Sequence, residues 1–317
     1  MSRYDIVFIG TAIVDAILKG FDPQPVSATG YRADSCSLHA GGEAVNGAIA
    51  AAKLGMKTAI LCALGKDAAG NMIEAQLAAI GVDTSLIVRS ADHPTPVTTM
   101  FVAEDGSRRS ITNKAHRYNF HPERYADAMA DTGAVVLGSL FRAPFDDPDV
   151  VRTIAAAARE KGVPIFADTK LPNFTKLRLE DLADSLPLID CITPNEEEAR
   201  YYSGKDDPEK MADAFLERGV GNVIIKLGGK GCFFKNPETS FRLPACNIQA
   251  VGATGAGDNF VAGFTAEILR GSSPYDALRF ANACGAICTT AVGAGTALKN
   301  RDQVLAFLDP VSAERVQ

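Results

Sequence analysis

The chain has 317 residues, 47% of them hydrophobic and 22% charged, and carries a formal net charge of −6. That balance is the one expected of a globular protein with a large core, and the lack of any run of about 18 apolar residues argues against a membrane span. Net negative charge, no basic tract and no Trp argue against nucleic acid as a partner. The opening MSRYDIVFIG has neither the basic segment nor the cleavage site of a secretion signal, so the expected location is the cytoplasm.

An apolar strand at Asp5–Ile9 opens the chain, and residues 11–39 read as further short strands. The turn Gly41-Gly42-Glu43-Ala44-Val45-Asn46 leads a helix over 43–54. Its glycines permit close approach of a ligand, and Asn46, one turn inside, can hydrogen-bond a polyol. The plainer alternative is a tight turn with a solvated Asn. A strand at Thr58–Leu64 and a helix over 67–80 follow. Within 95–117, Glu104-Asp105-Gly106 between Thr98–Ala103 and Arg109–Thr112 is a hairpin signal. The stretches 11–39 and 95–117 are therefore expected to build a small β flap at the ligand-binding edge of the sheet, either a lid or a mere appendage.

Downstream, helices are expected near 122–131, 147–161, 195–202, 208–218, 258–269 and 274–290, and strands at Ala134–Leu137, Pro164–Ala167, Cys191–Thr193 and Val223–Leu227. Strands alternating with helices mark βαβ units, hence an α/β fold with a parallel sheet. No linker divides residues 1–317, so one domain is expected.

The strongest local feature is Gly252-Ala253-Thr254-Gly255-Ala256-Gly257-Asp258, which runs into the 258–269 helix. Successive amides of small residues at a helix N-terminus bind anions such as phosphate. An acidic residue there is either a helix cap or a base that takes a proton from an attacking hydroxyl. A third glycine-rich element, Lys226-Leu227-Gly228-Gly229-Lys230-Gly231, follows a strand at the sheet end where α/β proteins bind ligands, although an ordinary hairpin turn has the same composition. GxxxxGK[ST] and GxGxxG are both absent, which argues against P-loop and dinucleotide sites. The seven cysteines are scattered and never spaced as CxxC; Cys284 and Cys288, at i and i+4, fit an Ala-rich helix interior better than a metal site. His39, His93, His116 and His121 form no ligand-like group.

In this order, GGEAVNGAIAAAKLG at 41–55, TPNEEEA at 193–199, KLGGKG at 226–231, GATGAGDNFVAGF at 252–264 and FANACGAICTTAVGAG at 280–295 resemble the ribokinase-like (PfkB) carbohydrate kinases across nearly the whole chain. The resemblance implies a three-layer α/β ribokinase-like fold, a mostly parallel central sheet flanked by helices, with a small β-sheet lid that covers the sugar and pairs two subunits into a homodimer. It implies ATP-dependent phosphorylation of a hydroxyl on an unphosphorylated sugar, with Asp258 as base and the Gly255, Ala256 and Gly257 amides as anion hole. It implies sugar binding by Asp15, Gly41, Gly42 and Asn46, nucleotide binding by Asn195, Lys226, Gly228, Gly231 and Asn282, and a role for Glu198 on Mg²⁺ and phosphate.

Three departures matter. Gly252 stands where many members carry an Asp that binds a monovalent cation, which removes the reason to expect potassium activation. Glu43 replaces the Lys common in ribose kinases and disfavours a phosphorylated acceptor. No carboxylate is evident in Gly138-Ser139-Leu140-Phe141-Arg142 to mark ribose as the substrate. Asp168 and Lys170 either reach the pocket or pair with each other at its rim. A nucleoside kinase clamping its base with Phe101, Phe141 or Phe166 and a non-catalytic sugar-binding module are the competing readings.

Overall fold

The computed structural model describes residues 2–20, 33–103, 108–113, 120–173 and 175–309. The opening apolar run forms β1 (Tyr4–Ile9), buried at five of its six positions because it lies inside a sheet covered on both faces. There it pairs in parallel with β4 (Thr58–Leu61) on one side and β9 (Thr132–Leu140) on the other. The sheet continues in parallel through β10 (Ile165–Thr169), β11 (Cys191–Ile192) and β12 (Asn222–Lys226). Two antiparallel strands, β13 (Cys232–Lys235) and β14 (Ser240–Leu243), complete eight strands in the order β14-β13-β12-β11-β10-β9-β1-β4.

One face of the sheet packs against α1 (Glu43–Lys53), α2 (Ala68–Ile80), α6 (Ala256–Leu269), α7 (Pro274–Cys288) and α8 (Arg301–Leu308). The other packs against α3 (Pro148–Glu160), α4 (Glu196–Ser203) and α5 (Pro208–Leu216). Alternate strand residues feed the two cores: Ile6 and Phe8 one, Val7 and Ile9 the other. Each such fully buried side chain contributes about 1.5–3 kcal/mol. Among the described residues no helix is long and apolar enough to cross a membrane.

A second sheet stands apart. Its order is β3-β2-β7-β8, built from β2 (Ile13–Lys19), β3 (Ser35–Gly41), β7 (Val97–Val102) and β8 (Arg108–Thr112). This is the expected lid; the turn residues Glu104, Asp105 and Gly106 of its hairpin lie outside the described residues, as does His116.

Three elements differ from expectation. The 58–64 run breaks after Leu61, and β5 (Ala63–Gly65) leaves the main sheet to pair with β6 (Val88–Ser90). Residues 122–131 wind as 3₁₀ turns rather than an α-helix, because among their described side chains only Pro122 and Met129 are buried, too few for a helical stripe. Arg301–Leu308 is helical though unforeseen; Val304 is its one buried residue, so it carries almost no apolar periodicity.

Candidate active site

A cavity of about 970 Å³ opens between the lid and the C-terminal ends of the parallel strands, the usual ligand edge of such sheets. It runs from Ile13 and Asp15 on the lid strand β2 to Asn282 and Thr289 at the α7 end. Asp258 lies between these extremes.

Asp258 is the third residue of α6, and Gly255 occupies the cap position with φ 81°. The capping alternative for Asp258 is thereby displaced: no side chain caps this helix, and the carboxylate Oδ2 instead accepts from Asn46 Nδ2 at 2.7 Å. Gly255 is required twice over. Its φ is left-handed, and a Cβ there would stand 2.1 Å from that of Ala294. Asn259 fixes the same approach by donating to the Gly255 and Ala294 carbonyls at 2.8 and 2.9 Å. Gly255, Ala256 and Gly257 of the first turn thus border the cavity beside Asp258, the Ala256 amide donating to the Ala253 carbonyl at 3.3 Å. Burial pushes the Asp258 carboxyl up to about 6; Lys170 and the Asn46 hydrogen bond draw it down, while Glu43 and Asp168 add to the rise.

At the lid end, Asn46 is 6% exposed, and with Nδ2 on Asp258 its Oδ1 has no partner. A buried acceptor left open costs stability unless a ligand donates to it. Gly42, with φ 96°, lets α1 begin against the Thr11 carbonyl, 2.4 Å from where a Cβ would sit. Asp15 is pushed up to about 6 by burial and then by Glu43. Gly41 does not line the cavity; it lies behind the Asp15 carboxylate, which comes within 2.2 Å of the place a Cβ would fill. Burial pushes Glu43 up, but Lys170, the Thr11 hydroxyl and its own helix N-terminus outweigh this and hold it below the usual carboxylate range.

Toward the other end, Lys226 Nζ donates to Asp168 Oδ1 at 2.6 Å and stands 3.2 Å from where a Gly257 Cβ would be. The lysine assigned by resemblance to the nucleotide loop therefore reaches back to the anion turn. Asp168 also accepts from Thr193 Oγ1 at 2.9 Å, whereas Lys170 Nζ lies 3.7 Å from Glu43 Oε1. Asp168 and Lys170 both reach the pocket and each takes a different partner. Asn195 caps α4 in a reciprocal box: its side chain accepts from the Glu198 amide, and Glu198 Oε2 accepts from the Asn195 amide, both at 2.9 Å. Oε2 also accepts from Thr169 Oγ1 at 2.8 Å, so Oε1 is the oxygen left for a ligand. Burial raises the Glu198 carboxyl; Lys226 opposes this and Asp168 adds to it. Gly228, Gly231 and Asn282 line the far end, where Asn282 Nδ2 donates to the Pro244 carbonyl at 3.3 Å.

Among the described residues no three acidic, His or Cys side chains converge as a metal cage. One buried carboxylate with a spare oxygen beside an anion turn suits Mg²⁺, which keeps most of its waters and shares phosphate oxygens. Cys284 and Cys288 are buried free thiols, Cys284 in the α6–α7 core and Cys288 against Asn259 and the Thr254 and Ala294 carbonyls. Phe141 and Phe166 are also core, stacked on Tyr202 and set edge-on to Phe264. Two features escaped the sequence. Thr11, Thr169 and Thr193 each support a site carboxylate, and Ser139 and Phe141 hold positive φ of 69° and 74° beside the pocket. A lone hydroxyl on a strand end gives no periodic signal.

Residues 3–301 match the pfkB family carbohydrate kinase profile. The chain is 30% identical over 274 residues to a ribokinase of Haemophilus influenzae, covering 85% of this chain and 87% of that one. It is 29% identical over 285 residues to a 2-dehydro-3-deoxygluconokinase of Bacillus subtilis, covering 85% and 86%. Among solved structures, Arabidopsis thaliana ribokinase complexed with ribose and ATP superposes with a TM-score of 0.84 at 27% identity, over 98% of this chain and 99% of that one. With the family motifs in order, the fold shared and their residues gathered around one cavity, the chain belongs to the pfkB family of carbohydrate kinases.

Proposed function

We propose that this kinase transfers the γ-phosphoryl of ATP to a hydroxyl of an unphosphorylated sugar or sugar-like polyol. The observation that carries the reading is the pair Asp258–Asn46 beside the anion turn. One carboxylate oxygen is held by Asn46, and the open Asn46 Oδ1 calls for a hydroxyl donor next to it. The acceptor hydroxyl gives its proton to Asp258 as its oxygen attacks, and the Gly255, Ala256 and Gly257 amides receive the charge on the transferring group. Mg²⁺ at Glu198, when bound, neutralises phosphate charge. Asp15, Asn46 and Gly42 orient the acceptor, while Gly228, Gly231 and Asn282 take the nucleotide.

Glu43 and Asp15 place two acids at the acceptor end, which repels a phosphate or carboxylate substituent. The relatives' acceptors, named as different compounds, leave the sugar's identity to experiment. The exposed apolar residues Leu38 and Ile111 on the lid strands β3 and β8 support a homodimer through the lid, and the cytoplasm as its location agrees with an ATP-using enzyme. The test is ATP–Mg²⁺-dependent ADP release against free sugars, polyols, sugar phosphates and nucleosides. Turnover on a free sugar or polyol, with sugar phosphates inert, is expected. Turnover on nucleosides alone would replace this reading with a nucleoside kinase, and none on any acceptor would point to a binding module.

A further inference from the structure

Lys170 belongs to no motif that identifies the family, yet its backbone is tied down on three sides. Its amide donates to the Leu140 carbonyl at 3.1 Å, its carbonyl accepts from Tyr202 Oη at 2.6 Å, and the next carbonyl, Leu171, accepts from Arg142 Nε at 2.6 Å. Two of these braces, Leu140 and Arg142, spring from the segment that holds Ser139 and Phe141 at positive φ, and strain kept in a fold clusters at functional sites. The side chain ends in the cavity among four carboxylates: Glu43 and Asp258 on the acceptor side, Asp168 and Glu198 on the nucleotide side.

Two lysines, Lys170 and Lys226, are the cations among the described residues lining this cavity. Lys226 is committed, with Asp168 at 2.6 Å. Lys170 is not: its nearest carboxylate, Glu43, lies at 3.7 Å, beyond a normal hydrogen bond, so its three donors remain available. A phosphoryl group arriving between Asp258 and Glu198 brings further negative charge into a place already crowded with acids. A cation on the acceptor side adds to the turn amides and Lys226 in balancing it there.

We propose that Lys170 is a catalytic residue of the transfer, its ammonium leaving Glu43 to hold an oxygen of the phosphoryl group as that group passes from ATP to the acceptor. No proton moves in this step: the lysine stays charged, and the acceptor's proton goes to Asp258. Glu43 serves as the parking position that keeps the ammonium within reach. This rests on the kinase reading above.

The opposing possibility is that Lys170 only neutralises Glu43, and a pair of variants separates the two. Lys170→Met should lower kcat about 100-fold or more, the loss typical of removing one preorganised donor to developing charge, with acceptor KM within a few-fold of the parent. Glu43→Gln alone should cost less than about tenfold in kcat, and the double variant should stay as slow as Lys170→Met. Recovery of the double variant toward parental turnover, or a Lys170→Met enzyme within about threefold of the parent, would overturn the proposal.

A second measurement does not depend on turnover, and it reads the folded fraction by calorimetry, so a less stable variant still answers. Aluminium fluoride, a phosphoryl mimic, should tighten binding of ADP with acceptor in the parent and do so at least tenfold less in Lys170→Met. Equal tightening in both would also sink the idea. If the parent itself shows neither turnover nor tightening with any acceptor, the kinase reading fails rather than the role of Lys170.

Discussion

To act as the proposed base, Asp258 has to ionise where burial resists it. Its carboxyl stands at about 6 because desolvation, Glu43 and Asp168 outweigh Lys170 and the Asn46 hydrogen bond, and the Cys288 thiol lies within reach of its charge. A base must be unprotonated, so kcat/KM should fall tenfold per pH unit below about 6 and be flat above it, as a pH series would read. The motif around Asp258 was legible because turn, glycines and acid are contiguous. The charge pairing was not. Asp168 and Lys170 lie two residues apart, yet Asp168 takes Lys226 from across β11 and Lys170 takes Glu43 from α1, and no sequence spacing encodes partners delivered by sheet order.

At the scale of elements, two helix starts do double duty. In α4 the Asn195–Glu198 box both begins the helix and leaves Glu198 Oε1 for a ligand. Glu198→Gln should keep the cap, melt close to the parent, and need a several-fold higher Mg²⁺ concentration for half-maximal rate. Asn195→Ala should instead cost about 1 kcal/mol in denaturant unfolding. In α6, Gly255→Ala forces a Cβ into Ala294 at positive φ, so it should destabilise by about 1–3 kcal/mol or more and depress turnover together. The strands were legible as apolar runs, whereas α8 was hidden by its single buried residue and β5 by a break that depends on a distant partner, β6.

For the whole molecule, the fold brings a lid, a strand edge and the N-termini of three helices, α1, α4 and α6, around one cavity, and the alternation of strands and helices made the layered part of that architecture readable in advance. The lid's edge hydrophobics yield an expectation for assembly: the chain should sediment as a dimer, and Ile111→Glu should shift it toward monomer. With Gly252 in place of a cation-binding carboxylate, turnover should be unchanged when potassium is exchanged for sodium at constant ionic strength. Neither expectation involves the Asp258 carboxylate itself, so neither decides the mechanism.

That decision belongs to Asp258→Asn, assayed by ATP–Mg²⁺-dependent ADP release on the best acceptor, with acceptor binding measured alongside by calorimetry. The mechanism requires turnover to fall about 10²–10⁴-fold while acceptor affinity stays within a few-fold of the parent. Turnover near that of the parent would contradict Asp258 as the base, and with it the assignment of this cavity's chemistry.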